Sequence, residues 1–119
     1  MILSQSTVRW LAIVWSIIML IGCLTPHEDV PEELSSFNDK GLHVAIFIPF
    51  AVLWILAGFR VGRVLIAGIL FGALIEILQG ILPINRNADW FDLAADSLGV
   101  VIGTLGGWLL AKTYKITNS

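Results

Sequence analysis

The sequence predicts an all-α polytopic membrane protein, a bundle of four transmembrane helices. Three observations point there. Of the 119 residues, 57% are hydrophobic and only 13% charged, whereas soluble domains carry roughly a quarter charged residues. Mean hydropathy is +0.88, and so short a chain cannot hide that much apolar surface in a core of its own. The apolar residues also fall into four runs, each near the roughly 20 residues that carry a helix across about 30 Å of hydrocarbon.

The first run extends from about Trp10 to Leu24 and is the shortest. Arg9 followed by an apolar stretch, with Leu20-Ile21-Gly22-Cys23 behind it, has the shape of a lipoprotein signal. The favoured reading is a retained helix, because Thr25-Pro26 reads as a helix exit and Cys23 as a small apolar residue near its end. Cys23 is the single cysteine, so an internal disulfide and a cysteine-based metal site are both excluded. Thr25 to Asn38, with Pro26 and Pro31, reads as an extramembrane loop. The second run, about Leu42 to Phe59, contains Pro49, which predicts a kink. The third, about Val61 to Leu82, follows after a very short connection and predicts an antiparallel hairpin. Pro83 to Ala88 forms a tighter loop, and Trp90 to Ala111 is the fourth run. The reading is of a single transmembrane domain over residues 1–119, without a separate soluble unit or internal repeat.

Charge placement sets the expected orientation. Arg9, Arg60, Arg63, Lys112 and Lys115 lie on one side of a four-span chain, with only Lys40 and Arg86 on the other. The excess of basic residues marks the cytoplasmic side. The expectation is a multi-pass protein of the bacterial cytoplasmic membrane with both termini inside. The acids are the complement. Glu28, Asp29, Glu32, Glu33, Asp39, Asp89 and Asp92 fall in or beside the outer loops, and Glu76 and Asp96 lie within helices near their outer ends.

Helical spacing decides which polar groups meet. Asp39, Lys40 and His43 share a face at the start of the second helix. Glu76 and Gln79 continue a stripe that begins at Gly68 and Gly72. Asp89, Asp92, Asp96, Gly99, Gly103 and Gly106 follow alternating steps of three and four along the fourth. The glycines are explained by close helix packing in lipid. Asp39, Asp89 and Asp92 are equally explained as first-turn caps, Lys40 and Arg86 as snorkelling cations, and His27 with the acids around it as a solvated loop. Glu76, Asp96 and His43 resist such readings. At about 1.5 Å per residue, Glu76 and Asp96 lie roughly 9 Å inside the outer helix ends. An ionisable group there costs a few kcal/mol, so it faces the bundle interior with a partner such as Lys40 or Arg86. The expected pocket therefore comprises Asp39, Lys40, His43, Glu76, Gln79, Arg86, Asp92 and Asp96.

The same residues carry a resemblance. Asp39-Lys40-Gly41-Leu42-His43 is similar to the D-K-x-x-H motif of the VanZ-like family. Glu76 to Gln79 resembles its E-x-x-Q, Pro83 with Arg86 its P-x-x-R, and Asp92 to Gly99 its D-x-x-A-N-x-x-G. Asp96 stands where the family often has Asn. The similarity runs from about Asp39 to Gly103 and includes the four-span layout. The family is named for a protein linked to teicoplanin resistance. The resemblance implies a cell-envelope protein and a link to glycopeptide resistance, but supplies no reaction.

The reading that follows is a binder whose outward pocket holds a lipid head group or a peptidoglycan precursor. Lys40 and Arg86 would meet phosphate, and Glu76, Gln79 and Asp96 would accept or orient hydrogen bonds. The alternative is an enzyme acting on a lipid-linked substrate, with His43 as general acid or base and a carboxylate beside it. Zinc, phosphate-loop and serine-hydrolase signatures are absent, so the sequence assigns no metal site and names no cofactor. A proton relay is disfavoured because no charged residue lies in the inner half of a span. The expected partners are membrane lipid and that head group or precursor, not nucleic acid, and the sequence fixes no oligomeric state.

Overall fold

The computed structural model describes residues 3–25, 39–83, 90–113 and 116–117. Among them are four α-helices: α1 (Gln5–Leu24), α2 (Asp39–Leu56), α3 (Val61–Ile81) and α4 (Trp90–Thr113). Three of these, α1, α3 and α4, are long and apolar enough to cross a membrane, and the apolar stretch of α2, Gly41–Leu56, is shorter. The molecule is 43 Å long and 23 Å across, which matches a bilayer of about 40–45 Å including its head groups.

Local chemistry explains where the helices begin and end. α1 starts five residues earlier than the hydropathy run because Ser4 caps it, its Oγ accepting from the Thr7 amide at 3.0 Å. This draws Arg9 into the helix, where its Nε donates to the Ala57 carbonyl at 3.2 Å and its guanidinium lies over the Phe59 ring. α2 ends at a turn in which Gly58 adopts φ +106°, a conformation that L side chains rarely accept. The Gly58 amide closes that turn on the Ile55 carbonyl. Pro49 lies inside α2 and cannot donate to the Ala45 carbonyl one turn back. The neighbouring Ile46 carbonyl accepts from the Trp15 indole at 2.9 Å, which ties α1 to α2.

The most extensive packing is between α2 and α4, and α3 also packs more on α4 than on α2. The last helix therefore lies between the two that the short turn connects. Glycines make this possible. A Cβ at Gly99 would meet the Val44 carbonyl at 2.7 Å, one at Gly103 the Ile48 carbonyl at 2.3 Å, and one at Gly107 the Ile55 Cβ at 2.9 Å. The expected stripe ran through Gly106, but a Cβ there would have only Val52 nearby, at 3.9 Å. The contact follows the row of every fourth residue, as in helix pairs that cross through small-xxx-small surfaces, rather than alternating steps of three and four.

Phe47, Phe50, Ile55, Val64, Ile75 and Val100 form the core. Large apolar side chains on α1, α3 and α4, such as Trp10, Ile17, Leu70 and Leu105, are exposed and face the hydrocarbon. Leu3–Ser4 and Ile116–Thr117 pair in parallel, so these two segments lie at the end of the bundle that carries the α2–α3 turn.

Candidate functional site

The opposite end of the bundle gathers the polar groups. It is formed by the last turns of α1 and α3 and the first turns of α2 and α4. His43, Glu76, Gln79, Asp92 and Asp96 are all buried there, Asp96 completely and Glu76 to 2% exposure. Each arrives by helical geometry. His43 sits one turn into α2, Glu76 and Gln79 share one face of the last turns of α3, and Asp92 and Asp96 are one turn apart at the start of α4.

The His43 imidazole is the centre. Its Nδ1 N–H donates to Asp96 Oδ1 at 2.5 Å, and its Nε2 lies 3.9 Å from Asp92 Oδ2, too far for a hydrogen bond. Glu76 joins from the third helix, so that His43, Glu76 and Asp92 each bring one ligating atom within 4.8 Å of the others. Asp96 Oδ2 is buried with no hydrogen-bond partner among the described residues. Gly72 makes room for that carboxylate, since a Cβ there would stand 2.9 Å from Oδ2. Gln79 turns the other way, its Nε2 donating to the Cys23 carbonyl at 2.8 Å, and so fastens the end of α1 to the site.

The remaining expected residues are placed less far. Asp39 and Lys40 open α2 one turn before His43, and their side chains lie outside the described residues, as do Arg86, Asp89, Lys115 and the loop acids. Cys23 is buried, as expected of a small apolar residue near the end of a packed helix. The Cys23 backbone carbonyl had no signal in the sequence, because any residue type supplies one. The indole of Trp54 donates to Ser16 Oγ at 3.1 Å, and Ser16 Oγ donates in turn to the Ala12 carbonyl. These tryptophans read only as apolar bulk in the sequence.

A separate apolar cavity of about 510 Å³ lies toward the other end. Phe50, Trp54, Phe59 and Phe71 form its walls, with Ser16 and Arg63 as its polar members. None of the buried acids lines it, and the Phe47 ring packs against two of its walls, Phe50 and Phe71.

Apolar helices of membrane-spanning length, a lipid-facing surface and a buried histidine–carboxylate cluster at one end define a polytopic membrane protein with an intramembrane polar site. The model of the VanZ/LLP1 family matches residues 3–111, and the chain belongs to that family. No curated protein and no solved structure matches the chain.

Proposed function

We propose that the site binds the polar head group of a membrane lipid or a lipid-linked cell-wall precursor at the outer face of the bacterial cytoplasmic membrane. The observation that carries this reading is the burial of His43, Glu76, Asp92 and Asp96, from three different helices, at one level near the helix ends. Ionisable groups at such depth are costly and mark functional sites. Packing alone does not ask for them, since Phe47 and Ile75, one turn deeper on α2 and one residue before Glu76, fill the same bundle with hydrocarbon. A lipid-anchored molecule reaches this level by lateral diffusion, with its head group already at the right height. Lys40 and Arg86, near the mouth in sequence, would meet a phosphate. A role in glycopeptide resistance would follow from holding or masking a cell-wall precursor.

The test is identification by mass spectrometry of lipids retained by the full chain after mild extraction from its native membrane. A head-group class enriched over bulk lipid, and lost from a folded Glu76→Gln protein, supports the proposal. Retained lipid that mirrors the bulk membrane rejects it.

The His43–Asp96 contact favours a second reading, catalysis on a lipid-linked substrate. A carboxylate that fixes one imidazole nitrogen orients the other for proton transfer. His43 would then act as general acid or base through Nε2, with Asp96 as the positioning residue.

A further inference from the structure

The geometry points to a divalent transition-metal site, for a cation such as Mn²⁺ or Zn²⁺, formed by His43 Nε2 and one carboxylate oxygen each from Glu76 and Asp92. The three ligating atoms lie within 4.8 Å of one another. Ligands at about 2.0–2.2 Å from a tetrahedral ion stand about 3.3–3.6 Å apart, so side-chain rotations that move these atoms by about an ångström close the set. The ligands come from α2, α3 and α4, three rigid elements locked by the glycine contacts, so the set is built by the fold and not by a loop.

The histidine supplies the independent observation. His43 is 6% exposed, and its Nε2 is directed toward Asp92 Oδ2, 3.9 Å away. That gap is too long for a direct hydrogen bond and suits two atoms that share an ion. At the far side of the ring, Asp96 accepts from Nδ1. A metal-bound histidine characteristically donates its other nitrogen to a carboxylate, which fixes the tautomer and makes the ligating nitrogen more basic. One imidazole and two carboxylates, without thiolate, suit Mn²⁺, Fe²⁺ or Zn²⁺ better than Cu⁺. Three protein ligands leave at least one coordination position open, and the oxygen of a phosphate or a water would complete it. The ion does not depend on the head-group reading, because a chain that retains lipid without metal would reject the metal site alone.

Mn²⁺ titration of the full chain in lipid nanodiscs, followed by electron paramagnetic resonance, tests the inference on the unaltered protein. The expected result is one tightly bound Mn²⁺ per chain with hyperfine coupling to an imidazole nitrogen, displaced by Zn²⁺. His27, which lies in sequence beside Glu28 and Asp29, is the competing source of such a signal. The coupling therefore persists in His27→Gln and disappears in His43→Gln. Asp96→Ala, which removes only the support of the imidazole, weakens Mn²⁺ by about 10–100-fold, and Asp96→Asn by less. Mn²⁺ that stays free, that binds without nitrogen coupling, or whose coupling is lost with His27 overturns the site. So does undiminished binding in folded Glu76→Gln or Asp92→Asn, and a side chain such as Lys40 or Arg86 then neutralises the acids instead. The measurement on the unaltered chain decides the matter even where a variant fails to fold.

Discussion

At the residue scale, His43, Asp96 and Gly72 form one unit. The imidazole needs Asp96 as acceptor, and the Asp96 carboxylate needs the space that Gly72 leaves on α3. Asp96→Ala leaves a buried ring N–H without a partner, at a cost of about 1–3 kcal/mol. Asp96→Asn keeps an oxygen acceptor in the same place, and its cost stays within about 1 kcal/mol. Glu76→Gln preserves hydrogen-bonding capacity but removes the charge, so in a functional site it abolishes the phenotype while the protein still accumulates. The expected order of residual activity is therefore Asp96→Asn above Glu76→Gln, read by retention of the proposed head group alongside membrane protein level and Tm. Activity that tracks folded protein in every variant would reduce the cluster to scaffolding. Much of this site was legible beforehand. Helical spacing and the cost of charge in hydrocarbon singled out His43, Glu76 and Asp96, because few physical explanations exist for such residues at that depth. The choice of Asp96 over Glu76 as the histidine's partner was not legible, since it depends on how α4 is rotated and inserted between α2 and α3.

That insertion is decided at the scale of the element. The short α2–α3 connection announces consecutive antiparallel helices, but says nothing of which helix each packs against. The small residues decide it: Gly99, Gly103 and Gly107 bring α4 onto the backbone of α2, while Gly68 meets Val100 and Phe50. Sequence spacing alone could not distinguish Gly106 from Gly107, which are adjacent, because the choice depends on the crossing angle. The two make a clean test. At Gly103 an added Cβ would enter to 2.3 Å of the Ile48 carbonyl, and backbone on both sides leaves little to give. Gly103→Ala is expected to destabilise by about 1–3 kcal/mol through overpacking. At Gly106 the added methyl reaches only ordinary contact with Val52, 3.9 Å away, and Ala gains up to about 1 kcal/mol in helix propensity. Gly106→Ala is therefore neutral or mildly stabilising. Thermal unfolding of the two proteins in the same detergent checks the order, and a Gly103→Ala protein as stable as its parent would show that α2 and α4 do not pack through this face. The helix limits follow the same logic. Hydropathy located the lipid-facing lengths well, but missed five residues of α1 because the Ser4 cap and the Arg9–Ala57 bond stabilise a turn that is polar in composition.

At the scale of the whole molecule the two ends of the bundle are chemically opposite, and the opposition bears on orientation. One end holds the paired segments Leu3–Ser4 and Ile116–Thr117, together with Arg9, Arg60, Arg63 and Lys112. The other holds His43, Glu76, Asp92 and Asp96. Basic residues flanking membrane helices are retained in the cytoplasm, so the termini are expected inside and the carboxylate site outside, where a lipid-linked envelope component presents its head group. An even number of crossings is a separate requirement, and it depends on α1 being retained as a helix. The structure bears on retention: Trp15 bonds the Ile46 carbonyl of α2 and Arg9 the Ala57 carbonyl, and cleavage ahead of Cys23 would remove both donors and expose their partners at the bundle surface. Reporter fusions at each end of the chain separate the possibilities. Both termini should report the cytoplasm, and a reporter inserted between Thr25 and Asn38 should report the outside. If the amino-terminal fusion is cleaved from the chain and the carboxy-terminal one still reports the cytoplasm, α1 is a processed signal and the bundle functions with three helices. If both terminal fusions report the outside, the buried carboxylates face the cytoplasm, and a cell-wall precursor presented on the outer surface is no longer a ligand the site can reach.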